Sequence, residues 1–422
     1  MASLQQPDVP YLGAMRAGPL HRWLLIASVV AVLAATLSPI AGEEPEHWLS
    51  CVVCGDRGIA DVLVNVLLFL PLGAALAAAG VPLRRCVLGG ALLSAGVELA
   101  QLYLPGRDPS LGDVVSNSLG SGLGAALVAT APHWLLPAHT QAARLSRAAA
   151  LAAAALCYVT GWLLAPAPPR RLYFALWTPN IGHLEWYRGR VRDATIGDVR
   201  IPAGPIANSA AVRELLLSSQ AFSLRVRAIA GPRTAALGGL LAVYDERGRE
   251  ILLLGPDRDD LVFRVRTRAA ALRLDQPDIR LPNALRSTAS GDPLDVAVLG
   301  RRGRYAITVN SKAATGLGFT AGNGWAVLMH PETLPAWLKA LLNLAWVGAM
   351  WAPAGFWAGT RRDGWVAAGA VTAGLLGAPA VTPLCATPLL QWAAAGLGGL
   401  AGAGVRLVLE RRSRSTIALA SV

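Results

Sequence analysis

Long apolar stretches occupy both ends of the chain, and between them the pattern changes to short segments in which apolar and polar residues alternate. Eight stretches are long enough to cross a bilayer as helices: residues 23–40, 59–79, 86–104, 111–131, 148–165, 336–357, 366–381 and 388–405. Between residues 166 and 335 no such run occurs. Segments such as 223–229, 241–244, 261–266 and 305–309 are short, and several alternate as a strand with one face in a core must. Turn-forming clusters separate them: Asp245-Glu-Arg-Gly248, Gly255-Pro-Asp257 and Arg302-Gly303. The pattern predicts a mixed architecture, a polytopic α-helical membrane protein of about eight spans with an inserted all-β domain. A two-sheet sandwich is the expected form of the insert, with a barrel as the alternative closure. The predicted divisions are an N-terminal segment 1–22, a four-helix membrane domain 23–131, a fifth helix 148–165, the sandwich 166–335, three further helices 336–405 and a basic tail 406–422.

Charge sets the expected orientation. Arg16 and Arg22, Arg84 and Arg85, Arg144 and Arg147, Arg361 and Arg362, and the tail Arg411, Arg412 and Arg414 all fall on one side when eight crossings are counted. Both termini are then cytoplasmic and the sandwich is extracytoplasmic, in a multi-pass membrane protein. The first span, with basic residues before it and small ones after, also has the shape of a signal peptide. Its length and the closely coupled spans that follow favour a retained anchor.

Polar residues inside the predicted spans carry the candidate chemistry. Asp61-x-x-x-Asn65 recurs as Asp113-x-x-x-Asn117, and each copy precedes the same Leu-Gly-Ala-Ala-Leu, at 72–76 and 123–127. A spacing of four puts each pair on one helix face. Glu98 and Gln101, three apart, share a face near the far end of the span between the copies. At 1.5 Å per residue, all six polar groups fall within roughly 10 Å of the outer interface. Ionisable side chains there are expensive, so their default reading is a site. Three carboxylates at one depth need compensation, by shared protons, by pairing with Arg57 or Arg107, or by a divalent cation. Glu98, Asp61 and Asp113 are therefore the candidate catalytic acids and bases, and Asn65, Gln101, Arg107 and Asn117 the candidate ligand-binding groups. Arg107 at the outer mouth suits a bidentate hold on phosphate. The competing reading makes Asp61 and Asp113 first-turn caps and the asparagines interhelical hydrogen-bond partners. It fits Glu98 less well, because a helix C-terminus disfavours negative charge. Neither reading fixes a reaction, and whether the protein is an enzyme stays open.

Composition narrows the partners. Net charge is +12, and only Lys312 and Lys339 are lysines. The segment 166–335 holds 23 Arg or Lys against 15 Asp or Glu, a balance suited to anionic lipid or envelope polyanions as well as to plain solvation. No interleaved basic and aromatic stripe marks a nucleic-acid partner. Five cysteines are too few for a disulfide scaffold, although Cys51-x-x-Cys54 with His47 before it has the form of a strained disulfide or half a metal site. Asp257, Asp259 and Asp260 could hold a cation or simply make an acidic hairpin turn. No resident cofactor is indicated.

Taken in order, Asp61-x-x-x-Asn65, Leu68-Phe69-Leu70-Pro71-Leu72-Gly73, Ser94-x-x-x-Glu98-x-x-Gln101 and Arg107-x(5)-Asp113-x-x-x-Asn117 resemble the signature of the VanZ-like family of integral membrane proteins, over roughly residues 20–131. The resemblance implies a bacterial envelope protein and an association with low-level resistance to glycopeptide antibiotics of the teicoplanin type. Phe222-Ser-Leu-Arg-Val, Leu252-Leu-Leu-Gly255, Leu261-Val-Phe-Arg-Val-Arg-Thr267 and Tyr305-Ala-Ile-Thr-Val-Asn310 are similar to strands of concanavalin A-like, laminin-G-like sandwiches. That second likeness implies carbohydrate binding, sometimes with calcium. The expected partners are a membrane lipid or lipid-linked glycan, engaged by the polar cluster, and a cell-wall polysaccharide presented to the sandwich. A membrane-anchored, non-catalytic glycan-binding or scaffold protein is the alternative.

Overall fold

The structure, a computed structural model, describes residues 20–38, 53, 55–107, 109–182, 184–218, 220–329 and 334–420. Cys51, Cys54, His47, Arg16, His183 and His330 lie outside the described residues, so the metal and disulfide readings of the first loop are not addressed by it. Two compact units emerge, Met1–Ala150 with Trp351–Ala367 and Leu397–Val422, and Leu151–Met350 with Ala368–Gly396.

Each of the eight apolar stretches forms a helix: α1 Leu20–Thr36, α2 Gly58–Ala78, α3 Leu83–Gln101, α4 Leu111–Ala129, α5 His139–Leu163, α6 Ala336–Trp357, α7 Arg361–Thr372, which runs on to Val381 through a π turn, and α8 Leu389–Ala420. Four of them, at Gly58–Ala78, His139–Leu163, Arg361–Val381 and Leu389–Arg412, are long and apolar enough to cross a membrane, and α1 is a shorter apolar helix. The expected eight spans are thus matched by four on length and composition together. In α3 and α4 the polar residues of the candidate site themselves lower the apolar content.

Within the first unit, α2 and α4 meet backbone to backbone. A Cβ on Gly73 would overlap the carbonyl of Ser121, and a Cβ on Gly124 would overlap that of Leu70. These contacts are reciprocal: a shift of 51 residues takes Gly73 to Gly124 and Leu70 to Ser121. The glycine of each Leu-Gly-Ala-Ala-Leu copy therefore seats against the other copy, as in a self-complementary two-fold contact. Gly120 adds a third close approach, to Val66. Gly355 and Gly402 do the same between α6 and α8, against the backbone of Gly399 and Ala352.

The second unit holds a sandwich of two six-stranded antiparallel sheets. One runs in the order β4 (Gly204–Ile206), β1 (Tyr173–Trp177), β6 (Leu241–Asp245), β7 (Glu250–Asp257), β8 (Asp260–Val265), β9 (Ile279–Leu281). The other runs β12 (Lys312–Gly318), β11 (Arg304–Val309), β10 (Pro293–Arg301), β5 (Phe222–Ile229), β2 (Arg190–Ile196), β3 (Val199–Arg200). In β5, Phe222, Leu224, Val226 and Ala228 point into the core, and Ser223, Arg225 and Arg227 point out. Arg225 and Arg227 find cross-strand partners in Asp295 and Asp193. β7 does not alternate, because a second apolar group, Leu184, Leu237, Ala242, Leu253 and Val262, covers the other face of its sheet.

One predicted turn is a strand. Gly255-Pro-Asp257 completes β7, where glycine is required because a side chain would strike the carbonyl of Gly238. The chain reverses at Arg258-Asp259 instead, with Arg258 at φ 56°. Arg302 and Gly303 do form a hairpin turn, both at positive φ as a two-residue primed turn needs.

Asp245 closes the β6–β7 turn. Burial works against ionisation of its carboxyl, but the Arg249 guanidinium, at 2.6 Å and 2.9 Å, and the N–H groups of Arg249 and Arg247 outweigh it and hold the group below the usual carboxylate range. With the folded value depressed, the stabilisation is complete at neutral pH and is lost as pH falls through that value. The melting temperature of the full-length protein should fall as buffer is taken below about pH 4, the ordinary aspartate range. Asp245→Asn should flatten that acid limb, and an unchanged limb would remove Asp245 from the explanation.

Candidate functional site

Helices α2 and α4 begin at the end of the bundle where α3 finishes, so the first-turn acids Asp61 and Asp113 come to the same level as Glu98 in the last turn of α3. Ser110 starts α4. Its hydroxyl accepts the Gly112 N–H at 3.0 Å, a serine cap that fixes where the helix begins. The Ser110 N–H donates to Glu98 Oε2 at 2.8 Å, tying the end of α3 to the start of α4. Glu98 is buried, and this bond is what satisfies its carboxylate from the backbone side. Asp113 lies within electrostatic reach of both Glu98 and Asp61, and the Asn65 amide reaches its carboxyl. Asp61 itself is exposed and Asp113 half-buried.

One turn deeper the polar track continues. Asn117 is 2% exposed, and its Nδ2 donates to Ser94 Oγ at 2.9 Å while its Oδ1 has no hydrogen-bond partner among the described residues. Ser121, a further turn along α4, is fully buried with its hydroxyl likewise unmatched, and it sits where a side chain on Gly90 would be.

The seven predicted residues divide into two groups. Asp61, Asn65, Glu98 and Asp113 come together, and Asn117 continues from them into the bundle with Ser94. Gln101 and Arg107 face elsewhere. The Gln101 amide donates to the Thr36 carbonyl at 2.9 Å, and Arg107 donates through Nε and Nη2 to the carbonyls of Ser38 and Ala35 at 2.9 to 3.0 Å. The Ala35 and Thr36 carbonyls belong to the last turn of α1 and Ser38 follows it, where helix carbonyls lack intrahelical partners. Arg107 thus serves as a helix cap, and a bidentate grip on phosphate would compete with those bonds. Sequence reasoning missed Ser110, although a serine just ahead of Leu-Gly-Asp at a helix start is the signal for such a cap.

Among the described residues no three His, Cys, Asp or Glu side chains form a metal-binding group. In the sandwich, the acids considered for a cation are engaged by arginines: Asp257 with Arg280 at 2.5 Å, Asp259 with Arg233 at 3.1 Å, and Asp260 with Arg280 at 3.9 Å. Cys86, Cys157 and Cys385 are free thiols.

No curated protein and no solved structure matches the chain. Residues 24–132, the stretch that carries most of α1, all of α2 to α4 and every side chain of the polar cluster, match the VanZ/LLP1 family model, and this part of the chain is similar to that family.

Proposed function

We propose that the protein sits in a bacterial envelope membrane, termini inside and sandwich outside, and that its VanZ-like domain binds the hydroxyl-rich headgroup of an outer-leaflet lipid or lipid-linked sugar. The observation that carries this is the meeting of Asp61, Asn65, Glu98 and Asp113 at one end of the bundle. Carboxylates and amides accept and donate to sugar hydroxyls, and the unmatched Asn117 Oδ1 offers one more acceptor below them. Neighbouring carboxyls are also the minimum equipment for general acid–base work, should the headgroup be altered. The commitment of Arg107 to α1 shifts the reading from phosphate toward hydroxyl recognition. The family's association with teicoplanin-type resistance fits a protein that acts on a cell-wall precursor at this surface.

A cavity in the second unit supports a second reading, in which the sandwich does the binding. It measures 670 Å³, and Phe319, Trp325, Asn343 and Asp260 are among its lining residues, an aromatic and amide set suited to sugar.

Both readings meet in one experiment. Full-length protein in nanodiscs doped with a polyprenyl-linked disaccharide is assayed for retained lipid by native mass spectrometry. Glu98→Gln and Asp113→Asn should each lower retention about tenfold, the loss of one charge-assisted hydrogen bond. Retention equal to wild type in the double variant refutes the cluster as the site. Sensitivity to Trp325→Ala instead moves binding to the sandwich.

A further inference from the structure

A smaller cavity, of 490 Å³, lies in the second unit where two of the four apolar helices end. Ala165 and Pro166 follow the last residues of α5, and Val381 to Pro383 close the span that starts at Arg361. The facing wall comes from the sandwich, chiefly Phe222 and the Arg302-Gly303 hairpin turn, with Leu217 beside them. Two guanidinium groups, Arg268 and Arg302, line it, and among the described residues no carboxylate does.

Helix C-termini ordinarily repel anions, because their last carbonyls point outward unmatched. Here arginines of the sandwich segment reach one carbonyl near each helix end. Arg268 Nη1 donates to the Trp162 carbonyl at 3.3 Å, and Arg304 Nη2 donates to the carbonyls of Pro379 and Leu384 at 3.2 and 3.3 Å. The Arg268 guanidinium also lies 5.3 Å from the centre of the Trp162 ring, which holds it at the cavity edge. Arg302 is exposed on its turn and bonds to no other described residue. Its charge is therefore available to a ligand.

The apolar side of the cavity is open as well. Val381 is 76% exposed and Leu217 40% exposed, and Trp162, at 49%, stands where an indole marks the boundary of a bilayer. Two cations, an apolar wall and a position at the mouths of two spans suit one ligand class. We propose that this cavity holds the phosphate of an anionic membrane phospholipid, with Arg302 and the remaining edge of Arg268 on its oxygens and the first chain methylenes against Val381 and Leu217. A soluble phosphate would leave the apolar wall unused, and a zwitterionic lipid would bring its ammonium against two guanidinium groups. The site is separate from the carboxylate cluster and does not depend on it.

Full-length protein, stripped of lipid in detergent, is titrated with phosphatidylglycerol, phosphatidylcholine or inorganic phosphate and read by native mass spectrometry and thermal shift. Phosphatidylglycerol should bind and raise the melting temperature, and phosphatidylcholine should do neither. Arg302→Asn, which suits the positive φ of the turn, should weaken phosphatidylglycerol about tenfold, and Arg302→Lys should restore most of it. Val381→Asp, a change at an exposed position, should weaken it too by placing a carboxylate beside the phosphate. Asp295→Asn, a change in an exposed ion pair on the outer face of the sandwich, should leave it unchanged. Binding of inorganic phosphate with the same dependence on Arg302 overturns the lipid as the ligand. Equal phosphatidylglycerol binding by wild type, Arg302→Asn and Val381→Asp overturns the proposal.

Discussion

Gly124→Val is expected to abolish the folded membrane domain, whereas Gly96→Ala should leave it as it is. At position 124 a Cβ would run into the carbonyl of Leu70 and lie 2.8 Å from the Ala74 nitrogen, both backbone atoms that cannot turn aside. The only relief is to push α2 and α4 apart. Overpacking of a well-filled contact costs about 1–3 kcal/mol where side chains can adjust, and more where they cannot. In lipid no hydrophobic force between helices offsets that loss, since the surrounding acyl chains are as apolar as the interface. Separation would also disperse the polar cluster, whose members belong to these two helices and to α3. At Gly96, by contrast, an added Cβ meets nothing within 4 Å. Thermal melting and monodispersity of the detergent-extracted full chain provide the measurement. Wild-type melting in Gly124→Val would mean that α2 and α4 do not touch in this way.

Asp278→Ala should be the most damaging single change in the sandwich. Its carboxylate is inaccessible and lies between Arg264 at 2.6 Å and Arg280 at 3.1 Å, with Glu250 and Asp257 at the outer ends of the two arginines. Removing the central acid leaves two largely buried guanidinium groups facing each other without the charge between them. Breaking a buried ionic network by deleting one partner costs about 3–5 kcal/mol, chiefly from the charge left behind. For a domain of this size that corresponds to a fall of roughly 10 °C in melting temperature. Asp295→Ala is the informative comparison. Its partner Arg225 is well exposed, water replaces the lost contact, and the change should be too small to resolve. Equal effects for the two variants would show that burial does not govern these pairs.

How far the sequence foretold the structure depends on the range of the interactions involved. Apolar runs predict helices because a span satisfies its own backbone, and every one of the eight runs is helical. Alternation located β5 and β11, because a one-faced strand writes its burial into every second residue, whereas β6 and β8, covered on both faces, were legible only as short apolar segments. Gly255-Pro-Asp257 misled because turn composition and close backbone approach both select glycine, and only the neighbouring Gly238 carbonyl distinguishes them. At the site, spacing along α2, α3 and α4 was enough to place Asp61, Asn65, Glu98 and Asp113 at one level. The partners of Gln101 and Arg107 were not legible, since backbone carbonyls of α1 carry no signature in the side chains around them. Nor did the repeat announce its own asymmetry. Asp61 and Asp113 are 52 residues apart, but Gly73 and Gly124 are 51 apart. One residue on a helix is about 100° of rotation, so the polar end of one copy is turned relative to the other once the glycines are aligned. This matches the exposure of Asp61 against the partial burial of Asp113.

The reciprocal seating of Gly73 and Gly124 has an ancestral implication. A surface that recognises its own duplicate can assemble from two separate chains, and joining the two genes preserves that recognition while removing the translational entropy lost on dimerisation. Fusion also frees the halves from having to stay identical. One copy can then keep its acid at the surface, as Asp61 is, while the other draws its own inward, as Asp113 is, a divergence denied to a strict homodimer.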